Sequence, residues 1–97
     1  MNELSGKQRR YLRGMGHSLS PHVHVNEISP SLLTEADRQL QTHELIKVKL
    51  LLTDRIERRE TLRRIAEETG AQVVQELGKT ALLYRPDPDA KNPIRLP

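Results

Sequence analysis

Apolar and polar positions alternate strictly across the middle of the chain. In His43-Glu44-Leu45-Ile46-Lys47-Val48-Lys49-Leu50-Leu51-Leu52, one face takes Ile46, Val48, Leu50 and Leu52, and the other takes Leu45, Lys47, Lys49 and Leu51. A period of two with β-branched residues predicts a strand. The first face is wholly apolar and belongs against helices. The second sets two lysines between leucines, so part of it meets solvent or a charged partner. On either side of this strand the period becomes helical. Ser5 reads as an N-cap for a helix from Gly6 to about Met15. Its stripe is Leu4, Gln8, Leu12 and Met15, with Tyr11 beside it and Gly16 as the C-cap. His22-Val23-His24-Val25 alternates as a short strand with the valines inward. Ser29 caps a second helix that Pro30 opens and that runs to about Thr42, with Leu32, Leu33, Ala36 and Leu40 inward.

Asp54 and Glu57 fit a capping box for a third helix ending near Thr69. Leu62, Ile65, Ala66 and Thr69 form its inner face, and Gly70 is its left-handed cap. Ala71 to Leu77 and Thr80 to Arg85 predict two strands joined by the two-residue loop Gly78-Lys79. The order α-β-α-β-α-β-β gives an α/β (α+β) fold, a single domain over residues 1–85 with a four-stranded mixed sheet packed with helices. A strand-helix-strand unit calls for a right-handed crossover and a parallel pair. Residues 86–97 hold four prolines, Lys91 and Arg95 without periodicity, and predict an extended or disordered basic tail.

Composition narrows the class. A chain of 97 residues with 35% apolar residues supports one modest core. There is no Cys, Phe or Trp, so there is no disulfide framework and no thiolate metal site. No stretch approaches the roughly 20 apolar residues that span a bilayer. The polar start, Met1 to Gly6, lacks the apolar region of a signal peptide. Together these predict a cytoplasmic protein with no membrane partner.

Charge adds more by its placement than by its sum of +3. No acidic residue falls between Leu4 and Asn26, whereas Lys7, Arg9, Arg10 and Arg13 do. A helix dipole favours Arg13 near the C-terminus but not the three cations near the N-terminus. Unrelieved cations repel one another by a few tenths of a kcal/mol per pair, roughly, and a phosphate partner removes that cost. The third helix also carries many arginines: Arg55, Arg58, Arg59, Arg63 and Arg64. Its pairs Glu60–Arg64, Arg63–Glu67 and Arg64–Glu68 are four apart, which predicts a salt-bridged solvent face.

Candidate chemistry other than binding is thin. His22 and His24 point the same way on a strand, but no third ligand accompanies them, so no metal is expected. No Walker A loop, nucleophile elbow or paired carboxylates stand out, so no enzyme and no cofactor is expected. His17, His43 and Glu44 are conceivable acid–base groups, although His43 fits better as a packing residue at the helix–strand junction. With two tyrosines and no Phe or Trp, base stacking cannot be the main mode of contact with any nucleic acid.

Several motifs resemble one family. They are Lys7-Gln8-Arg9 with Leu12 and His17, then His43 to Lys49, then Glu68-Thr69-Gly70-Ala71, then Gly78-Lys79-Thr80-Ala81-Leu82-Leu83-Tyr84-Arg85. Over about residues 5–85 the chain resembles the bacterial YhbY family, the stand-alone form of the CRM domain. The resemblance implies a fold like the C-terminal domain of bacterial translation initiation factor three. It also implies RNA binding and association with precursors of the large ribosomal subunit, hence ribosomal RNA as partner.

The sequence departs from the family at one place. The family usually has a Gly-x-x-Gly loop between the first strand and second helix, where glycine lets backbone approach phosphate. Here Asn26-Glu27-Ile28-Ser29-Pro30 has neither glycine and is about two residues shorter. Asn26, Ser29 and the helix N-terminus remain as anion donors. Weight therefore shifts to Lys7, Arg9, Arg10 and Arg13, with Lys47 and Lys49 on the sheet and Lys79 and Arg85 in support. The expected function is a non-catalytic, monomeric RNA-binding protein of ribosome assembly. With about five phosphates engaged, log K falls against log salt with a slope of roughly −3 to −5. The alternative is a module that docks on a ribosomal protein or an assembly GTPase.

Overall fold

In the computed structural model, residues 3–97 are described; Met1 and Asn2, which begin the polar N-terminal stretch, lie outside them. The first helix, α1, is Gly6–Gly16. Ser5 and Gln8 close a full capping box: the Gln8 N–H donates to Ser5 Oγ at 3.1 Å, and the Ser5 N–H donates to Gln8 Oε1 at 3.0 Å. Strand β1 is Val23–Val25, helix α2 is Pro30–His43 behind its Ser29 cap, and strand β2 is Leu45–Leu50. Helix α3, Arg55–Thr69, ends on Gly70 at φ 73°. Strands β3, Gln72–Leu77, and β4, Thr80–Tyr84, complete the predicted order.

The sheet runs β1-β2-β4-β3. Strands β1 and β2 are parallel, as the β-α-β unit requires, and the other two pairings are antiparallel. Alternation along the strands builds a core on each face. Ile46, Val48, Leu50, Val23, Val25, Ala81 and Leu83 pack under α2 and α3 with Ala36, Leu40, Leu62 and Ile65. On the opposite face Leu45, Val74, Leu82 and Tyr84 pack with Leu4 and Leu12 at α1.

Three details differ from the sequence reading. Gly16 is not a left-handed cap. It is buried within α1, and a Cβ there would lie 2.5 Å from Leu82 Cδ1. Its role is close approach of helix to sheet, and the helix closes instead through His17, whose N–H donates to the Arg13 carbonyl at 3.0 Å. Met15 is 38% exposed, because the sheet-facing position in the last turn belongs to Gly16. At α3, Asp54 caps through the Ile56 N–H at 3.0 Å, and no reciprocal Glu57 bond forms among the described residues.

Residues 86–97 contain no helix or strand but are held, and they are not basic, since Asp87 and Asp89 balance Lys91 and Arg95. Buried Glu44 lies between α2 and β2 at φ 62°. Its two carboxylate oxygens accept the N–H groups of Asp87 and Ile94, each at 2.7 Å. Ile94 and Leu96 then lie against the α1-side core. The same carboxylate, after burial itself, pushes the Tyr84 hydroxyl above its ordinary pKa. Glu44 is thus an anchor for the tail.

Candidate nucleic-acid interface

Helix α1 turns Leu12 and Gly16 to the sheet and leaves Lys7, Arg10 and Arg13 exposed on its outer side. No acidic residue lies in its first turn. These three side chains make no hydrogen bond or ion pair among the described residues. Cations without a carboxylate partner are suited to phosphate oxygens.

Arg9 sits one position away and does something else. Its Nη1 donates to the carbonyls of Val73 at 2.7 Å and Val74 at 3.2 Å. The register of β3 against β4 shifts between Val73 and Gln75, a bulge that disturbs the ladder there. Arg9 supplies donors at that irregularity and ties α1 to the edge strand. Arg85 is likewise internal. Its Nη1 reaches Asp37 Oδ1 at 2.6 Å and the Thr69 carbonyl at 2.7 Å, while Nη2 reaches the Asp37 carbonyl at 3.1 Å. It fastens α2 and α3 to the end of β4. Neither guanidinium is free for phosphate.

The sheet also carries cations on the α1 side. Register places His24, Lys49, Thr80 and Leu77 in one row across all four strands. Lys47 lies one row back. Both lysines are half-buried, and Lys79 is exposed in the hairpin between β3 and β4. The Lys47 N–H donates to His22 Nδ1 at 3.0 Å, and the His22 ring lies 4.7 Å from that of His43. Burial first, then the neighbouring His43, lower the His22 pKa. Among the described residues no group of three His, Cys, Asp or Glu is arranged to hold a metal. No helix among them is long and apolar enough to cross a membrane.

The loop between β1 and α2 is electrostatically opposite. Ser29 Oγ accepts the Leu32 N–H at 3.1 Å and so serves as the helix cap. Asn26 is exposed, yet beside it Glu27, Glu57 and Glu60 line a hollow of about 220 Å³. Three carboxylates there oppose a phosphate chain.

Helix α3 corrects a further expectation. None of its predicted Glu60–Arg64, Arg63–Glu67 and Arg64–Glu68 pairs forms. Arg58 donates to the carbonyls of Leu52 and Thr53, and Arg59 reaches across to Glu76 at 3.6 Å.

The profile of the CRS1/YhbY (CRM) domain family matches residues 4–85. The chain belongs to this family. Among CRM-type relatives, a Haemophilus influenzae protein named RNA-binding protein is 40% identical over 100% of this chain and 98% of its own length. A probable RNA-binding protein of Pseudomonas aeruginosa is 39% identical over 88% of this chain and 84% of its own. The solution structure of a Staphylococcus aureus protein, described as an RNA-binding candidate, superposes with a TM-score of 0.83 at 31% identity, covering 98% of this chain and 100% of that one. The four-stranded mixed sheet with its three helices is therefore the fold of a solved relative.

Proposed function

We propose that this CRM domain is a non-catalytic RNA-binding protein that acts as a monomer on precursors of the large ribosomal subunit in the cytoplasm. The observation that carries the reading is the outer face of α1, where Lys7, Arg10 and Arg13 are exposed and unpaired. Relatives over nearly the whole chain bear the name RNA-binding protein. Lys47, Lys49 and Lys79 extend the contact from the helix over the sheet to the hairpin. With Arg9 and Arg85 engaged inside the fold, they position the surface instead of touching phosphate. Asn26 lies beside carboxylates and Ser29 is taken up as the helix cap, and the RNA contact is displaced from that loop toward α1. Recognition is of backbone shape and charge, because Tyr84 is buried and Tyr11 is the one exposed tyrosine.

A second reading has one observation in its favour. Tyr11 and Met15, four apart on α1, are 44% and 38% exposed and form a small apolar flank. Such a flank suits a ribosomal protein or assembly GTPase. Sedimentation of a lysate on a sucrose gradient separates the two readings. An RNA-held factor co-migrates with large-subunit precursors and leaves them on RNase or moderate salt. Co-migration that survives both treatments supports protein docking, and migration only at the top contradicts both.

A further inference from the structure

The arginines of α3 are left over by the function proposed for α1. Arg55 and Arg63 are exposed and make no hydrogen bond or ion pair among the described residues. Arg55, Arg59 and Arg63 recur every four residues, so they form one stripe with steps of about 6 Å along the helix axis. The stripe overlooks a groove between α3 and edge strand β3. At the hairpin end a hollow of about 340 Å³ is lined by Arg55, Arg58, Arg59, Glu76 and Thr80 with apolar Leu50 at its floor. The next hollow, about 230 Å³, shares Arg59 and Glu76 and continues along Arg63, Glu67 and Val73.

We infer that this groove is a second phosphate-binding surface, which holds the backbone of a single RNA strand on the side of the sheet opposite α1. Four arginines face two glutamates there, so the lining is net cationic. Repeated guanidinium forks at even steps suit a chain of phosphates. An acidic peptide is the other anionic polymer to weigh. It would bind by adding a strand to β3, and that edge is poorly offered. The Val73 and Val74 carbonyls already accept Arg9, and the bulge breaks the register. No tyrosine reaches the groove, since Tyr84 belongs to the core on the other face and Tyr11 to α1. Bases therefore find no tyrosine to stack on, and the groove reads mainly charge. The Arg59–Glu76 contact is long, at 3.6 Å between partly exposed groups, and exchanges readily for phosphate.

This inference rests on the RNA-binding reading, and one experiment tells their failures apart. Binding of the full chain to a fluorescein-labelled 20-nucleotide single-stranded RNA of mixed sequence is followed by anisotropy over a series of KCl concentrations. The variants are R55Q/R63Q, E76Q and, on α1, K7Q/R10Q/R13Q, with far-UV circular dichroism to check folding. Loss of two phosphate contacts in R55Q/R63Q makes the slope of log K against log salt shallower by about 1.4. E76Q removes a competing carboxylate and tightens binding about two- to fivefold, a gain that misfolding cannot produce. A wild-type slope in R55Q/R63Q, or no gain in E76Q, overturns the groove while leaving α1 in place. Absence of salt-dependent binding by the unmodified chain overturns the RNA reading itself.

Discussion

The outer face of α1 and the loop between β1 and α2 both present hydrogen-bond donors that an anion could use, and their charges are opposite. α1 presents Lys7, Arg10 and Arg13 without a carboxylate partner. The loop presents Asn26 and leads to a helix N-terminus, but Glu27, Glu57 and Glu60 line one hollow with Asn26. The family's glycine loop would let phosphate reach backbone N–H groups; here Ser29 Oγ already takes the Leu32 N–H. The lesson is that a helix N-terminus supplies a partial charge of about half a unit, and a few full negative charges outweigh it. A conserved scaffold can thus keep its fold while its charge, and with it the proposed RNA contact, sits elsewhere.

The largest effect is expected from undocking α1. Leu12→Ala removes a fully buried side chain between helix and sheet. A loss of about 2–5 kcal/mol is expected in urea unfolding, and RNA affinity should fall with it at temperatures where α1 frays. Next is Arg9→Ala, which leaves the Val73 and Val74 carbonyls without their donor. It should cost about 1–3 kcal/mol in the same measurement. Arg10→Ala, its neighbour, should stay within about 0.5 kcal/mol of the parent. Equal losses for the two would contradict the division of labour assigned to them.

Smaller effects sharpen the loop side. Glu27→Gln removes one of the carboxylates by the loop. If RNA passes at α1, affinity should rise by less than about threefold, because the charge is screened over a Debye length. A gain of tenfold or more would return the contact to the loop. The smallest effect is a pH dependence. His22 has a lowered pKa in the folded state because of burial and His43. The unfolded state then binds more protons between that value and about 6.5. The contribution to stability is full above pH 6.5 and declines as pH falls from there toward the lowered value. His22→Gln should flatten this part of a stability–pH curve, and an unaltered curve would remove His22 from the account.

Much of the architecture was legible because it is local. Period-two alternation gave β2, caps at Ser5, Ser29 and Asp54 gave helix starts, and Gly78-Lys79 gave the hairpin. What was not legible depends on partners far away in sequence. Gly16 resembles a cap until Leu82 is seen against it, and Arg9 resembles a phosphate ligand until the β3 bulge comes beneath it. Arg85 and Glu44 are fixed by Asp37, Thr69, Asp87 and Ile94, none of which is a sequence neighbour. The misread face of α3 has a different cause. Exposed pairs four apart are worth only a few tenths of a kcal/mol, roughly. Sequence spacing permits them without enforcing them, and Arg59 crosses to Glu76 instead. For the site, the sequence located the basic helix but could not say which of its four cations face outward.

The proposed function stands on Lys7, Arg10 and Arg13 holding RNA by its phosphates. Its most direct test is the salt dependence of binding to single-stranded RNA for the parent chain and K7Q/R10Q/R13Q at equal stability. Three lost contacts should make the slope of log K against log salt shallower by about 2. A folded triple variant with the parental slope would contradict the account.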